Sequence, residues 1–218
     1  MNNRIKISSS LLGCDLSNIQ AEVRRVEQAG TDWLHFDVMD GVFVPNLSFG
    51  LPVQQALNKV ATVPIDTHLM IVDPIRYIED FAKAGSDLIT FHVESTKEPE
   101  KVIEKIHSCG VKAGISIKPV TPVGVISDLI PMVDMVLIMT VEPGFGGQGF
   151  IHETLKKVRM VREIADRLNK DIYVEVDGGI NDKTAVECKN AGADVFVSGT
   201  YIFNAKDTAA AIKSIRGQ

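Results

Sequence analysis

His35 and Asp37 are the first residues of this chain whose types and spacing suggest chemistry. Residues 33–38 are rich in aromatic and branched side chains, which predicts a buried strand, and the turn-forming pair Asp40-Gly41 ends it. Because side chains alternate across a strand, His35 and Asp37 are expected on the same face. Burying both is costly unless they bind a metal or a charged ligand, although a structural hydrogen bond between them would also explain the pair.

Two further strand ends carry residues of the same types. The segment 66–70 (DTHLM) places His68 near the tip of one apolar run, and the segment 175–179 (EVDGG) places Asp177 at the tip of another. If these strand ends meet, two imidazoles and two carboxylates converge, which is a ligand set that suits Zn²⁺, Fe²⁺, Mn²⁺ or Co²⁺. The pattern therefore predicts a site for one divalent metal ion per chain.

The other histidines and the methionines at strand ends have weaker signals. His92 also ends a strand, and a hydrogen-bonding role in the core is the expectation for it. His107 and His152 lie on helical patterns and are expected to be solvated. Three methionines end strands and could be adaptable core filler or an apolar wall beside the reactive centre, namely Met39, Met70 and Met139.

Glycine-rich stretches follow three consecutive strands in the second half of the chain. The loop 143–150 (PGFGGQGF) follows the sixth predicted strand, Gly178-Gly179 the seventh, and Gly199-Thr200 the eighth. Glycine lets backbone N–H groups approach an anion closely, and phosphate sites after the last strands recur in barrels. These loops therefore predict a phosphate site, and the loop after the sixth strand is expected to close over a ligand.

The elements that must position these residues alternate regularly along the chain. Several helical patterns end in a glycine that leads directly into an apolar run, as Gly30 and Gly85 do. Strands are predicted at 5–8, 33–38, 63–70, 88–92, 112–117, 135–141, 172–176 and 195–197. Helices are predicted at 15–28, 73–83, 97–108, 123–130, 152–168, 182–190 and 206–215.

Eight strand–helix units predict a single α/β domain over residues 1–218. Each unit has about 27 residues, close to the least that a βαβ step needs, and no linker or charge run divides the chain. Apolar strands that alternate with amphipathic helices favour a parallel sheet covered by helices. We predict a closed (β/α)₈ TIM barrel with its site at the C-terminal face, with a doubly wound open sheet as the alternative.

Composition and charge exclude several classes of partner. A net charge of −5 and the lack of any Lys/Arg block argue against nucleic acid and membrane surfaces. No apolar run is long enough to span a membrane, and the first residues lack the apolar core of a secretory signal. Cys14, Cys109 and Cys188 are odd in number and widely spaced, which argues against a disulfide framework and favours a reducing, cytoplasmic location.

Four motifs resemble the signatures of the ribulose-phosphate 3-epimerase family, namely LHFDVMDGVFVPNLSFG (34–50), DTHLMI (66–71), MTVEPGFGGQGFI (139–151) and VEVDGGI (174–180). The resemblance covers nearly the whole chain. It implies a (β/α)₈ barrel that interconverts D-ribulose 5-phosphate and D-xylulose 5-phosphate in the pentose phosphate pathway. It also implies a homo-oligomer, either dimer or hexamer, and a divalent metal held by His35, Asp37, His68 and Asp177.

The same resemblance implies roles for individual residues. Asp37 and Asp177 would be the acid/base pair, and Ser10 and His68 would contact the substrate. The remaining substrate-binding residues would hold chiefly the phosphate and are Gly144, Phe145, Gly146, Gly147, Gly178, Gly179, Gly199 and Thr200.

Three other functions are weighed against this one. The related allulose-6-phosphate 3-epimerases perform the same chemistry on a six-carbon sugar. Barrel decarboxylases and aldolases of the hexulose-phosphate synthase and orotidylate kind carry an Asp-x-Lys-x-x-Asp strand end, whereas residues 37–40 (DVMD) offer no lysine. A non-catalytic sugar-phosphate-binding barrel is the third, and the loss of a metal-binding position, which would have indicated it, is not observed.

Lys118 and Glu142 depart from the common bacterial pattern of the family, which has Asn at these positions. Lys118 follows the fifth strand and Glu142 the sixth, and neighbouring strands of a barrel lie about 5 Å apart. The two opposite charges are therefore expected either to form a salt bridge beneath the 143–149 loop or to be solvated independently.

Overall fold

Eight parallel strands close into a barrel in which each strand pairs with the next and the eighth pairs with the first. In this computed structural model, which describes residues 5–217, the strands are β1 (Lys6–Ser10), β2 (Trp33–Met39), β3 (Ile65–Met70), β4 (Leu88–His92), β5 (Lys112–Ile117), β6 (Met135–Met139), β7 (Tyr173–Asp177) and β8 (Val195–Ser198). The predicted (β/α)₈ barrel is confirmed, and the open sheet is excluded because β1 and β8 pair. The predicted domain, 1–218, also includes residues 1–4 and 218, which lie outside the described residues.

The helices pack around the outside of this barrel. They are α1 (Ile19–Gln28), α2 (Leu51–Asn58), α3 (Ile78–Lys83), α4 (Pro99–Ser108), α5 (Leu155–Arg167), α6 (Asp182–Ala191), α7 (Thr200–Phe203) and α8 (Thr208–Arg216). No helix within residues 5–217 is long and apolar enough to cross a membrane.

Three elements differ from the sequence prediction, and one of them is the short helix α7, which the prediction lacks. The predicted helix at 123–130 is wrong, because the chain there forms the short 3₁₀ turns Val123–Ile126 and Ile130–Met132. Gly124 and Pro131 explain this difference, since both residue types disfavour a continuous α-helix. Conversely, the apolar spacing does not predict α2, an eight-residue helix whose first turn contains Pro52.

Each strand contributes one face to the core and the other to the barrel lumen. Leu34 and Phe36 on β2, and Val174 and Val176 on β7, are fully buried and belong to the large core between strands and helices. Because side chains alternate along a strand, the remaining positions of these strands point into the lumen. This face carries the polar residues that the sequence places at strand ends.

The lumen is layered, with each layer contributed by alternate strands. Following the strand register from the N-terminal toward the C-terminal end of the barrel gives three successive layers: Ser8, Asp66, Gly114 and Glu175; then His35, Thr90, Leu137 and Val197; then Ser10, His68, Ser116 and Asp177. Asp37, His92 and Met139 follow at the mouth. Barrel interiors are usually filled by branched apolar side chains, so the polarity of this lumen marks it as a functional region.

Candidate active site

The four predicted metal ligands converge at the C-terminal end of the barrel. One ligand atom from each of His35, Asp37, His68 and Asp177 lies within 4.8 Å of the other three. His35 Nε2 is 3.2 Å from Asp37 Oδ1 and 4.0 Å from Asp177 Oδ2. His68 Nδ1 is 3.1 Å from Asp37 Oδ1 and 3.4 Å from His35 Nε2. Strands β2, β3 and β7 therefore aim two nitrogens and two carboxylates at one small volume.

This arrangement fits a divalent metal ion. The two imidazole nitrogens that face each other across 3.4 Å are the atoms that also face the carboxylates. Such a set of converging nitrogen and oxygen atoms suits zinc and the neighbouring first-row metals. A purely structural hydrogen bond between His35 and Asp37, the alternative given above, does not account for a second histidine and a second aspartate in the same place.

The environments of Asp37 and Asp177 differ, although both are in this cluster. Burial raises the pKa of Asp37, but the adjacent His35 and His68 outweigh it and hold that pKa well below the usual value. Ser10 Oγ also donates a 2.8 Å hydrogen bond to Asp37 Oδ2. Burial and the Asp37 carboxylate together raise the pKa of Asp177 to about 6. Asp177 is also the most open of the four, with 19% of its side chain exposed.

In each histidine of the cluster, the ring nitrogen that faces away from the other ligand atoms contacts a further side chain. His35 Nδ1 lies 2.6 Å from Asp66 Oδ2, and burial is outweighed by Asp37 and Asp66, which raise the pKa of His35 well above its usual value. His68 Nε2 lies 2.9 Å from His92 Nε2, so the expected hydrogen-bonding role of His92 is observed. Asp66 was not predicted as a site residue, although its position two residues before His68 on one strand places both on the same face.

A cavity of about 1020 Å³ opens above these four residues. Met39, Met70 and Met139 line it together with Asp37 and Asp177, and each also packs in a small buried apolar cluster, so these contacts fit both of the expected roles. His35 and His68 are fully buried beneath it. The other substrate-binding residues predicted above all line this cavity, namely Ser10, Gly144, Phe145, Gly146, Gly147, Gly178, Gly179, Gly199 and Thr200. The candidate site therefore combines a metal-ligand cluster with glycine-rich loops in one space.

Two of these glycines are required by their surroundings. Gly178 has a φ of 116°, and a Cβ there would lie 2.4 Å from Val141 Cγ2. Gly179 has a φ of 67°, and a Cβ there would lie 2.8 Å from the Phe150 backbone nitrogen. Both the left-handed backbone and the close approach exclude larger residues. The backbone after β7 is thus free of side chains where it faces the cavity.

The loop after β6 is tied to the loop after β2. Asn46 Nδ2 donates a 2.7 Å hydrogen bond to the Gly144 carbonyl, and Gln148 Nε2 donates to the carbonyls of Glu142 and Phe145. Phe145 is 53% exposed at the tip. These few contacts suit a segment that changes position when a ligand enters.

Of the two alternatives for Lys118 and Glu142, the salt bridge is not among the ion pairs formed within residues 5–217. Lys118 Nζ instead lies 3.9 Å from the centre of the Phe43 ring. An ammonium over an aromatic face is attracted by the negative potential of the ring, so Phe43 supplies the partner of Lys118. His107 and His152 are exposed and contact Asp134 and Glu187, respectively; neither belongs to the His–Asp cluster, although His152 is among the residues that line the cavity.

Comparisons with known proteins agree with this geometry. Residues 6–203 match the Ribulose-phosphate 3 epimerase family. The chain is 48% identical over 212 residues to the ribulose-phosphate 3-epimerase of Mycobacterium tuberculosis, covering 97% of this chain and 92% of that protein. It is 44% identical over 214 residues to the ribulose-phosphate 3-epimerase of Bacillus subtilis, covering 98% of this chain and 99% of that protein.

Solved structures share the fold at much lower identity. The 3-hexulose-6-phosphate synthase of Salmonella typhimurium superposes with a TM-score of 0.75 at 17% identity, covering 98% of this chain and 97% of that chain. KGPDC from Streptococcus mutans superposes with a TM-score of 0.74 at 14% identity, covering 98% of this chain and 96% of that chain. These two likenesses establish the barrel architecture.

Proposed function

Because the chain belongs to the ribulose-phosphate 3-epimerase family and is an epimerase of that family, we propose that it interconverts D-ribulose 5-phosphate and D-xylulose 5-phosphate. The observation that carries the proposal is the convergence of His35, Asp37, His68 and Asp177 beneath a cavity lined by glycine-rich loops. Inverting a carbon beside a ketone requires a proton to leave one face and another to arrive at the opposite face. The site must therefore offer two acid/base groups and must stabilise the enediolate between the two steps.

The same four residues would hold one divalent metal ion. When bound, such an ion supplies Lewis-acid stabilisation of the negative charge on the substrate oxygens. The fit of the donor set supports zinc, iron, manganese or cobalt equally, since imidazole and carboxylate suit all four. Burial of His35 and His68 keeps water from competing for their nitrogens.

Asp37 and Asp177 would carry out the two proton transfers. They come from β2 and β7, which are well separated around the barrel, and both line the cavity. The raised pKa of Asp177, about 6, and the lowered pKa of Asp37 make Asp177 the carboxyl that takes up a proton more readily. A group whose pKa lies near the operating pH is suited to accept a proton and to return it.

The glycine-rich loops would bind the phosphate of the substrate. Gly178 and Gly179 expose their backbone to the cavity, and Gly199 and Thr200 line it from the next strand end. Closure of the 143–149 loop would then exclude water from the reacting carbons, which protects the enediolate from side reactions. The methionine side chains beside Asp37 and Asp177 would leave the ketone and its neighbouring carbon in apolar surroundings.

A comparison of two sugar phosphates tests the proposal. Purified protein should epimerise D-ribulose 5-phosphate with a higher kcat/KM than D-allulose 6-phosphate, measured by following the product sugar. Treatment with a chelator should abolish activity, and Zn²⁺, Fe²⁺, Mn²⁺ or Co²⁺ should restore it. Full activity in protein shown by elemental analysis to be metal-free would contradict the metal site. A preference for the six-carbon sugar would contradict the substrate assignment, and no turnover of either sugar would indicate a binding protein.

A further inference from the structure

The two buried histidines His68 and His92 share a single hydrogen bond. Their Nε2 atoms lie 2.9 Å apart, and both rings are fully buried. Two ring nitrogens at that distance can be stable only if one of them carries a proton and the other presents its lone pair. The contact therefore links the tautomer of His68 to that of His92.

The opposite nitrogen of His68 decides which of the two carries the proton. His68 Nδ1 faces Asp37 Oδ1 at 3.1 Å and His35 Nε2 at 3.4 Å, so it is the nitrogen that points into the metal-ligand cluster. A metal ligand must present a lone pair, so a neutral His68 that binds metal through Nδ1 carries its proton on Nε2. His92 Nε2 is then the acceptor, and the proton of His92 is on Nδ1.

Groups on the far side of His92 agree with that tautomer. His92 Nδ1 lies 3.3 Å from Glu94 Oε2, although the N–H is not aligned with that oxygen. A carboxylate on this side of the ring favours a proton on Nδ1 rather than on Nε2. Glu94 is itself held by the Lys118 backbone N–H at 2.8 Å and by Thr121 Oγ1. The Phe43 ring lies against His92, with the ring centres 4.9 Å apart.

We propose that His92 is a positioning residue that accepts a hydrogen bond from His68 Nε2 and so presents His68 Nδ1 to the metal ion. This inference rests on the metal site of the proposed function. It makes the two imidazole ligands different: His35 is held through Nδ1 by the Asp66 carboxylate and faces the cluster with Nε2, whereas His68 is held through Nε2 by a neutral imidazole. Groups that hold metal-binding histidines in this way fix the ring orientation and the tautomer.

Three variants and a chelator competition test the role of His92. His92→Phe keeps a planar ring but has no acceptor, so the dissociation constant for Zn²⁺ should rise by about 10- to 100-fold, the usual effect of losing such a partner. His92→Gln places a carbonyl oxygen near the position of Nε2 and should restore binding to within about threefold of the wild type. Phe43→Leu disturbs the packing against His92 without removing an acceptor and serves as the matched control. It should leave Zn²⁺ affinity within the same range.

Nitrogen-15 NMR of the Zn²⁺-loaded wild-type protein provides a readout that does not depend on a variant folding. His68 should carry its proton on Nε2 and His92 on Nδ1. A His68 that is protonated on Nδ1 would overturn the inference, as would wild-type Zn²⁺ affinity in folded His92→Phe. Failure of the wild-type protein to bind any of the four metals would overturn the proposed metal site, and the inference with it. The wild-type titration therefore distinguishes the two failures.

Discussion

Asp37 and Asp177 show how neighbours set the pKa of two carboxyls at nearly the same place. Asp37 accepts a hydrogen bond from Ser10 and lies 3.1 Å from His68 Nδ1 and 3.2 Å from His35 Nε2, so its ionised form is stabilised. Asp177 is largely buried, lies 4.0 Å from His35 and faces the charge of Asp37, so its pKa is raised to about 6. A pair of carboxyls with displaced pKa values is the arrangement that acid/base catalysis at one site requires.

Asp177→Asn should reduce epimerase turnover by about 10²- to 10⁴-fold, because an amide can neither accept nor donate the proton. The barrel should remain folded, since Asp177 lies at the open end of β7. The measurement is kcat on D-ribulose 5-phosphate, with circular dichroism and metal content determined on the same samples. Deuterium exchange at C3 in D₂O should persist for one of the two sugars and be lost for the other.

Asp182→Asn is the matched control for this substitution, because Asp182 is an exposed aspartate five positions farther along the chain, on α6. It should leave kcat unchanged. Near-normal turnover in Asp177→Asn, with metal bound, would remove Asp177 from the acid/base pair.

The affinity for the metal should rise with pH through the pKa of Asp177, which is about 6 in the metal-free protein. Below that pH Asp177 holds a proton that must leave before the carboxylate can bind, so this group alone weakens binding by about tenfold per unit of falling pH. His35, whose pKa is raised well above its usual value, adds a dependence in the same direction. Chelator competition between about pH 5 and pH 7 measures the slope. Affinity that is constant over this range would contradict the prediction.

At the scale of elements, the connection between β5 and β6 differs from the other six that join successive strands. Two 3₁₀ turns replace a helix there, so fewer backbone groups are satisfied within the segment. Lys157 on α5 compensates, because its ammonium donates to the carbonyls of Lys118, Pro119 and Thr121. Burial lowers the pKa of Lys157, which is the cost of placing the ammonium among these carbonyls.

Lys157→Met should lower the free energy of unfolding by about 1–3 kcal/mol, because three carbonyls lose a charged donor while the apolar stem is retained. Urea unfolding of the metal-free protein measures the effect. Lys156→Met is the matched control, since Lys156 is the exposed neighbour on the same helix and should change stability by less than about 0.5 kcal/mol. Equal effects of the two substitutions would show that the contacts of Lys157 contribute nothing to stability.

At the scale of the whole molecule, the barrel lumen combines polar groups with close packing. The layer beneath His35 has carboxyls on Asp66 and Glu175 and no side chain on β5, where Gly114 stands. Burial and the Asp66 charge raise the pKa of Glu175 well above its usual value. Thr90 fills the space over Gly114, since a Cβ on Gly114 would lie 2.2 Å from Thr90 Oγ1. The position of His35 in the candidate site therefore depends on close packing in the lumen layer that contains Asp66, Gly114 and Glu175.

Gly114→Ala should destabilise the protein by about 1–3 kcal/mol, because the new methyl group overlaps Thr90 in a closed lumen. Adding Thr90→Ala should recover part of this loss, since it removes the overlapping hydroxyl. Gly124→Ala is the control, because a Cβ at Gly124 meets no atom within 4 Å. Thermal unfolding measures all of these variants. Strictly additive effects of Gly114→Ala and Thr90→Ala would show that the two side chains do not compete for one space.

Most of the barrel can be predicted from the sequence because its elements depend on local patterns. Strands β4 and β5 occupy 88–92 and 112–117 as predicted from their apolar runs. Strand alternation likewise predicts that His35 and Asp37 share a face. Once eight units imply a barrel, the strand ends must meet at one mouth, and so the cluster with His68 and Asp177 follows. Where local signals conflict, as at 123–130, periodicity alone predicts a helix that Gly124 and Pro131 prevent.

Only the tertiary structure decided which side chains contact His35 and His68 and which partner Lys118 has at the mouth of the barrel. The contacts His35–Asp66, His68–His92 and Lys118–Phe43 join different strands and loops, and the stagger between neighbouring strands determines them. Sequence patterns indicate the face of a strand on which a side chain lies, but not the register between neighbouring strands, which decides the residue it lies beside. The hydrogen-bond partners of His35 and His68 depend on this stagger, because a shift of one residue would pair each ring with a different side chain.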